Sequence, residues 1–516
     1  MSHTYRGISL LVSVFMTGMS ILIIEILAIR ILAPYFGNSI FTFSSVIGII
    51  LAALSIGYYA GGRFSDRWPS FRLFYGLILL GGITVLLIQL LNLHLLPVLG
   101  YRLSMINGPL ITSILLFLLP AFLLGMLSPY AIKLLHNDNP TLGIGRVSGL
   151  VFFWSTLGSI IGCLGAGFLL IPYWGVSQIV IGTGVLLSIL GCLGLILLRP
   201  HKKPVAALLA LLAVTLLVSI HYLIPQPDPE IIYQDDGLYE QLTVQNIQLN
   251  NRATRILLQD RNVNSGMYLD NGRMAFDYTR YFDLYRLFTA GLDRALAIGG
   301  GAYSVPKAIL RDHPSAYVDV AEIEPDLIHI AHEYFGLPHS ERLDNHIMDG
   351  RRYLYETRHR YDLIFMDVYR SFAAVPMQFA TREFFELARN RLDDDGVFIA
   401  NYFSSLAEET RPVILSVYKT METVFPILYV FATIDPESEI LQNFIYVGLK
   451  KPVPINAEAI ASAGFVYPEL ETIPEKLYQP DPALIDAAAL FTDDYAPVEY
   501  LAANVIRRYV RLQKTD

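Results

Sequence analysis

Cysteine and charge are both scarce in this sequence, and each shortage excludes a class of protein. Two of the 516 residues are cysteines, Cys163 and Cys192, and both lie in long apolar runs. This excludes a disulfide framework and a cysteine-ligated metal site. Charged residues make up only 16% of the chain and the mean hydropathy is +0.45, which excludes a purely soluble protein of this length. The length also exceeds that of one domain.

Acidic residues are scarce in the first part of the chain and abundant in the second. Up to residue 225 there are eleven Lys and Arg but only three acids, a balance of +8. Since the whole chain has a formal net charge of −8, the remainder carries −16. Nucleic-acid binding rests on neutralisation of phosphates by Lys and Arg. We therefore expect no nucleic-acid partner.

Seven apolar stretches are long enough to cross the core of a bilayer, which takes about 20 helical residues. They lie at 8–30, 41–59, 73–98, 109–135, 147–173, 177–198 and 204–224. No small-residue cleavage site follows the first stretch, so it does not resemble a removed signal peptide. The sequence therefore predicts an α-helical transmembrane bundle of about seven spans in residues 1–228, with the lipid bilayer of the cell membrane as its partner.

Lys and Arg cluster in every second loop between the predicted spans, at 63–72, 133–146 and 199–203. The positive-inside rule then places the amino terminus inside, and seven spans leave the second half outside. Within the first span, an acid such as Glu25 is costly, and it is usually paired or functional. Arg30, a little over one helical turn further along, is its predicted structural partner.

From about residue 229 the pattern changes to short β-like runs, followed by strands that alternate with helices. Residues 229–290 form a predicted small β unit with the runs YEQLTVQNIQL, TRILLQD and SGMYLDNG. In residues 291–516 the runs ALAIGG, AYVDVAEI, DLIFMDV and GVFIANYF are nearly continuously apolar, as buried parallel strands are. The sequence predicts an α/β Rossmann-like domain of the methyltransferase type after a small N-terminal β unit.

Glycines and acids follow these strands at the edge where a doubly wound sheet binds its ligand. They are Gly299, Gly300, Gly301, Glu322, Asp349, Gly350 and Asp367. A tight turn needs glycine with or without a ligand, so the glycine triplet alone is weak evidence. Glu322 ends the next strand about 20 residues later, where an acid can accept hydrogen bonds from ribose hydroxyls. A capping or surface role is the alternative for Glu322.

The order of these motifs, IGGG, EIEP, DG and YDLIFMD, resembles that of the aminopropyltransferases, the spermidine synthase family, and in particular its membrane-fused branch. The resemblance covers roughly residues 233–403, and the later segment FTDDYAPVEYL, with Asp493, Asp494 and Glu499, is also similar to that branch. It implies transfer of the aminopropyl group of decarboxylated S-adenosylmethionine to an amine, with release of methylthioadenosine and without a metal. Residues 229–516 would form the synthase-like domain.

The resemblance also implies roles for individual residues. Those at the nucleoside site would be Gln241, Gly299, Gly300, Gly301, Glu322, Asp349 and Gly350. Asp367 matches the catalytic acid, whose carboxylate accepts a proton as the acceptor amine becomes a nucleophile. Tyr281 and Asp283, on either side of Phe282, are similar to the family's substrate-binding set.

Two departures from the family pattern change the expected acceptor. Ala302 follows the glycine triplet where the family usually has an acid, and Arg370 stands where a second acid would follow Asp367. Arg370 would repel a diamine and hold a carboxylate. We therefore expect a substrate-binding Arg370 and an acceptor other than putrescine, with a solvated loop position as the alternative for Arg370.

Other functions remain open at this point. An arginine beside the site also fits intact S-adenosylmethionine as the co-substrate, in a methyltransferase or in a lyase or cyclase that acts on this molecule alone. A further alternative is a transporter-like or sensor protein that binds a nucleoside or polyamine without turnover. The resemblance leaves a homodimer open. Because the sulfonium donors are made in the cytoplasm, we expect a cytoplasmic synthase-like domain, although the charge bias over seven spans favours the outside.

Overall fold

The computed structural model describes residues 3–100, 102–104, 106–198, 212, 213, 215, 217, 229–289, 291–369 and 375–513. The chain divides into two compact units, Met1–Pro227 and Asp228–Asp516.

The first unit is built from helices. They are α1 (His3–Phe36), α2 (Ile40–Arg67), α3 (Phe71–His94), α4 (Leu96–Gly100), α5 (Gly108–Gly125), α6 (Leu127–Asp138), α7 (Ile144–Gly165), a π-helical turn (Ala166–Leu170) and α8 (Val176–Leu197). Six helical segments are long and apolar enough to cross a membrane: Arg6–Phe36, Ile40–Arg67, Phe71–His94, Gly108–Asp138, Ile144–Leu170 and Val176–Leu197. The seventh predicted span, 204–224, lies outside the described residues apart from four isolated positions.

Glycines allow α1 and α7 to pack closely. A Cβ added at Gly158 would lie 2.0 Å from the carbonyl oxygen of Phe15, and one added at Gly162 would lie 2.3 Å from that of Met19. Such small residues let helix backbones approach each other, which favours association of helices in a membrane.

Glu25 is half-buried on α1, and its pairing with Arg30 stays a prediction.

The second unit contains two sheets. The first is antiparallel, with β1 (Ile231–Asp236), β2 (Gln241–Leu249), β3 (Arg252–Gln259) and β4 (Asn262–Tyr268) in sequence order. The second has the strand order β10-β11-β9-β8-β5-β6-β7. Its strands are β5 (Arg294–Ile298), β6 (Tyr317–Glu322), β7 (Leu343–Ile347), β8 (Tyr361–Met366), β9 (Leu392–Ser404), β10 (Ile427–Ala432) and β11 (Gln442–Leu449). Strands β5 to β9 are parallel, and β10 and β11 are antiparallel additions.

Helices complete the second unit. They are α9 (Ser304–Asp312), α10 (Leu327–Tyr334), α11 (Gly350–Glu356), α12 (Arg382–Arg391), α13 (Arg411–Glu422), α14 (Ala457–Ala463), α15 (Pro482–Ala487) and α16 (Val498–Gln513), with 3-10 helices at Asp277–Leu287, Met377–Phe379 and Pro468–Lys476.

The seven-stranded sheet is buried on both faces. Alternate residues of β5 enter different buried clusters, with Ala295 and Ala297 in one and Leu296 and Ile298 in the other. This two-sided burial explains why the strands are continuously apolar, and it confirms the predicted Rossmann-like domain. Because β5 lies between β6 and β8, the carboxyl ends of these three strands meet at one edge of the sheet.

Candidate active site

The turn after β5 has room only for glycine. Gly299 has φ +90°, and a Cβ added there would lie 2.4 Å from the backbone oxygen of Asp367. Gly301, at φ +51°, is also in the left-handed region that other residues rarely adopt. The turn therefore lies directly against the end of β8.

Glu322, the last residue of β6, stabilises this turn. Its side chain is 7% exposed, and its two oxygens accept hydrogen bonds from the backbone N–H of Gly300 (2.7 Å) and of Glu324 (2.9 Å). Burial raises the pKa of Glu322, and these backbone N–H groups act in the opposite direction. The structure brings the glycine triplet and Glu322 together, as the sequence predicts, and gives Glu322 a structural task there.

Asp349 and Gly350 lie at the start of α11, just after β7. The Asp349 carboxylate accepts a hydrogen bond from the N–H of Arg352 (3.0 Å) and caps the helix. A Cβ added at Gly350 would lie 2.3 Å from Cγ2 of Ile298, so this glycine allows α11 to approach β5. Both residues are thus held at the same sheet edge.

Asp367 follows β8 and is hydrogen-bonded to a residue that lines a cavity. Its Oδ1 accepts a hydrogen bond from Nδ2 of Asn401 (2.9 Å), and the nearby Tyr278 hydroxyl donates to the backbone oxygen of Asn264 (3.3 Å). Burial raises the pKa of Asp367 to about 6, although the polar groups of Asn401 and Tyr278 lower it. A carboxyl group with this pKa is suited to exchange a proton near neutral pH.

The cavity has a volume of about 320 Å³, within the range of small-molecule sites. It is lined by Glu240, Gln259, Asp260, Asn262, Val263, Asn264, Phe276, Tyr278, Tyr369, Asn401, Phe403 and Asn443. These residues come from both sheets of the second unit and from the 3-10 helix that follows β4. Among the lining residues that the structure describes, none is Lys, Arg or His.

Just before β2, Glu240 lines the cavity, whereas the sequence points to the next residue, Gln241. The side chain of Gln241 donates instead to Asp236 (Nε2–Oδ1 3.2 Å). Successive residues of an extended chain point to opposite sides, so an error of one position reverses the direction. Glu240 accepts a hydrogen bond from Gln259 (3.0 Å), while burial and the carboxylates of nearby acids raise its pKa well above the usual range.

Tyr281 and Asp283 are not at the cavity. The Tyr281 side chain is 6% exposed, and its hydroxyl lies 3.4 Å from the backbone oxygen of Thr433. Asp283 is fully buried, where it pairs with Arg286 (2.6 Å) and accepts a hydrogen bond from the N–H of Val466 (2.8 Å). Their expected contact with substrate therefore has no support from their positions.

Tyr278, three residues before Tyr281, occupies the cavity instead. Both tyrosines lie in the run MAFDYTRYFD, and only the fold shows which of them lines the cavity. Arg370 lies outside the described residues. Ala302 is buried, and its N–H donates to the Ser265 hydroxyl (3.2 Å).

The FTDDYAPVEYL segment returns to the start of α11 and α12. Asp493 pairs with Arg351 (Nη1–Oδ1 2.7 Å) and accepts a hydrogen bond from Thr381 (2.8 Å). The N–H of Asp493 donates to Glu383 (3.0 Å), whereas the Asp494 side chain is exposed. This segment therefore joins the helix that follows Gly350 to the helix that follows the Asp367 loop.

Asp319, Asp344 and His346 have potential metal-ligand atoms within 4.8 Å of one another. The Asp319 carboxylate is already bound by Arg294 (3.0 Å) and by the Tyr361 hydroxyl (2.7 Å), which accounts for its burial without a metal. We therefore do not assign this group to the site.

Comparison with known proteins agrees with this geometry. The Spermine/spermidine synthase domain family matches residues 284–456. The polyamine aminopropyltransferase of Vibrio vulnificus is 30% identical over 280 residues, which are 52% of this chain and 91% of that protein. The polyamine aminopropyltransferase of Corynebacterium efficiens is 27% identical over 450 residues, which are 82% of this chain and 81% of that protein.

A solved structure, a probable spermidine synthase from Corynebacterium glutamicum, covers 52% of this chain and 98% of its own, with 20% identity and a TM-score of 0.43. The extent and identity of the Vibrio vulnificus match are sufficient to assign the family. The chain therefore belongs to the spermidine synthase family, as an aminopropyltransferase-like enzyme with an additional N-terminal helical region.

Proposed function

We propose that this protein is a membrane-bound transferase that moves the aminopropyl group of decarboxylated S-adenosylmethionine to an amine and releases methylthioadenosine. The observation that carries this proposal is the position of Asp367. Its backbone oxygen lies against the glycine turn, and its carboxylate accepts a hydrogen bond from Asn401, which lines a cavity of about 320 Å³ together with Tyr278.

In the proposed reaction, the acceptor nitrogen attacks the carbon next to the sulfonium. The C–N bond forms as the C–S bond breaks, and the bond electrons return to sulfur, which leaves as a neutral thioether. Asp367 accepts the proton that the amine loses, so that nitrogen can provide its lone pair. Because the thioether leaves as a neutral molecule, no protein group has to stabilise a charge on it. Positioning of the two substrates is therefore the main task of the protein.

The acids near the glycine turn favour the decarboxylated donor. Burial raises the pKa of Glu240, and the nearby carboxylates of Asp260, Glu322 and Glu324 raise it further. Decarboxylated S-adenosylmethionine carries a sulfonium and an ammonium but no carboxylate, so these acids attract it when they are ionised. The carboxylate of intact S-adenosylmethionine would be repelled by the same groups.

The wall beside Asp367 favours an acceptor other than putrescine. Asn401, Asn443 and Phe403 line this part of the cavity, and none of these side chains carries a charge. The other acids of the lining, Glu240 and Asp260, belong to the side of the small sheet, so a diamine beside Asp367 would have one nearby carboxylate for its two ammonium groups. We propose an acceptor with one reacting amine and a neutral polar or apolar remainder, and retain Arg370 as a substrate-binding residue.

The proposal is tested by product analysis with the purified full-length protein. Each sulfonium donor is incubated without an amine, with putrescine and with a panel of monoamines, and methylthioadenosine and the amine products are measured by mass spectrometry. We expect methylthioadenosine and an aminopropylated product from the decarboxylated donor and a monoamine, little spermidine from putrescine, and loss of turnover in Asp367→Asn.

The same measurement separates the alternatives. Methylthioadenosine formed from intact S-adenosylmethionine alone would indicate a lyase or cyclase. Nucleoside binding without any product, unchanged in Asp367→Asn, would contradict the transferase proposal and favour a binding protein.

A further inference from the structure

Two asparagines extend the hydrogen bonding of Asp367 across the sheet. Asn401 on β9 is fully buried, and Asn443 on β11 lines the cavity. Asn401 lies opposite Ile445 in the strand register, so Asn443 is its diagonal neighbour on the same face. Nδ2 of Asn443 donates to Oδ1 of Asn401 (2.9 Å), and Nδ2 of Asn401 donates to Oδ1 of Asp367 (2.9 Å).

The orientation of the Asn401 amide determines which form of Asp367 it favours. With Nδ2 toward Asp367, the amide donates to an ionised carboxylate. If the amide were reversed, its oxygen would face Asp367 and could accept a hydrogen bond only from the protonated carboxyl. Because Asn401 is buried, each side of its amide needs a partner, and the partner opposite Asp367 is Asn443.

We propose that Asn401, oriented by Asn443, is a positioning residue that keeps Asp367 in its ionised, proton-accepting form. The proposal rests on the proposed function, in which Asp367 is the base. Tyr369 supports the arrangement, because its hydroxyl donates to the backbone oxygen of Asn401 (3.1 Å) and joins the segment after Asp367 to β9.

Four other titratable groups face Asp367 or its cavity among the described residues: Tyr278, Tyr369, Glu240 and Asp260. Burial raises the pKa of both tyrosines well above 10, so they stay neutral in the range where Asp367 titrates. Glu240 and Asp260 change the charge of the cavity when they titrate. The experiment must therefore separate the effect of the Asn401 orientation from the effect of this charge.

The test compares pH profiles of kcat for full-length variants with decarboxylated S-adenosylmethionine and a monoamine acceptor. Asn401→Leu removes the donor to Asp367. Asn443→Asp replaces a donor to Asn401 with an acceptor, which reverses the amide. In both variants we expect the acid limb of the profile to shift to higher pH by about one unit. At high pH, kcat should recover toward the wild-type value.

Two control variants isolate the effect of orientation. Asn262→Asp adds the same charge to the same cavity at a position without a hydrogen bond to Asn401, and we expect a smaller movement of the limb. Asn443→Ser adds no charge, and its shorter side chain cannot reach Asn401, so its limb should move in the same direction as that of Asn443→Asp. Equal movement in Asn443→Asp and Asn262→Asp, or a uniform loss of kcat without movement, would overturn the proposal.

An infrared titration makes the result independent of turnover. The carbonyl band of protonated Asp367, assigned by its absence in Asp367→Asn, should disappear at a higher pH in Asn401→Leu and Asn443→Asp than in wild type. A moved midpoint in a protein without transferase activity would support the positioning role and contradict the proposed reaction. An unmoved midpoint in an active protein would contradict the positioning role alone.

Discussion

Asp367 is buried, yet it must be ionised to act as a base. As the pH rises, its ionisation therefore increases turnover and decreases stability. Burial raises its pKa to about 6, above the value near 3.8 of an exposed aspartate. As a base it must be ionised, so turnover should fall as the pH falls through about 6. Measurement of kcat between pH 5 and 8 checks this, and an acid limb that is unchanged by a conservative change such as Asp367→Glu would contradict it.

The stability of the folded state depends on pH in the opposite direction to turnover. A carboxyl whose pKa is raised by folding stabilises the folded state below the unfolded pKa, and this contribution is lost as the pH rises through the folded pKa. Asp367→Asn should therefore gain stability relative to wild type at pH 8, by up to about 3 kcal/mol, and no such gain should appear at pH 4. The unfolding midpoint of the two proteins in detergent, compared at both pH values, provides the test.

Gly299 is a second residue whose identity is fixed by geometry. Alanine there would require a left-handed backbone and a Cβ within 2.4 Å of the Asp367 oxygen. Gly272 has φ +66° but no atom within 4 Å of an added Cβ, so it is a matched control for backbone strain alone. Gly272→Ala should cost about 1 kcal/mol, whereas Gly299→Ala should cost clearly more and also weaken methylthioadenosine binding. Equal losses in the two variants would show that the turn can move away from β8.

At the scale of elements, the parallel strands and their ends could be predicted from the sequence, because burial on both faces makes a strand continuously apolar. Gly299, Glu322 and Asp367 could be predicted because they lie at the ends of these strands, and the structure places them at one edge of the seven-stranded sheet. The contribution of the small sheet could not be predicted in the same way. Gln241 and Glu240 differ by one position in an extended chain, and Tyr278 and Tyr281 by one turn, so only packing decides which side chain faces the cavity.

Asn401 and Asn443 show a different limit of the sequence. Both lie in apolar strands with one polar residue each on the cavity face, and their sequence separation of 42 residues conceals that they are hydrogen-bonded. The contact between the two asparagines forms because β11 pairs with β9 in the sheet, in antiparallel orientation. A single sequence does not specify that order.

The segment around Asp493 links two helices and gives a prediction at this scale. Asp493→Asn would remove the charge that pairs with Arg351 while Thr381 keeps an acceptor. Because the pair is partly exposed, we expect a loss of about 1 kcal/mol, together with a higher KM for the donor, since Arg351 follows Gly350. Asp494→Asn is the matched control, because its side chain is exposed, and should change neither value. An unchanged KM in Asp493→Asn would limit the segment to a role in stability.

At the scale of the whole molecule, the number of spans decides where the transferase domain lies. Six described helices are long and apolar enough to cross a membrane, and the positive-inside rule places the amino terminus in the cytoplasm. An even number of crossings returns the chain to the cytoplasmic side, where the sulfonium donors are made, whereas a seventh crossing at 204–224 would place the domain outside. Because the donors are made in the cytoplasm, we expect the transferase domain on the cytoplasmic side.

This topology predicts the behaviour of reporters fused to the full-length chain. A reporter that is active only in the cytoplasm should be active when it is fused after Asp516, and one that is active only outside should be inactive. The same pair fused after Gly100, in the loop that follows the third candidate span, should give the opposite result, which controls for expression and for reporter function. Fusions after Asp516 and after Gly100 that report the same side would contradict the six-span arrangement. An outside location of the carboxyl terminus would also require a route by which the donor crosses the membrane, because the cavity beside Asp367 can act only on molecules that reach it.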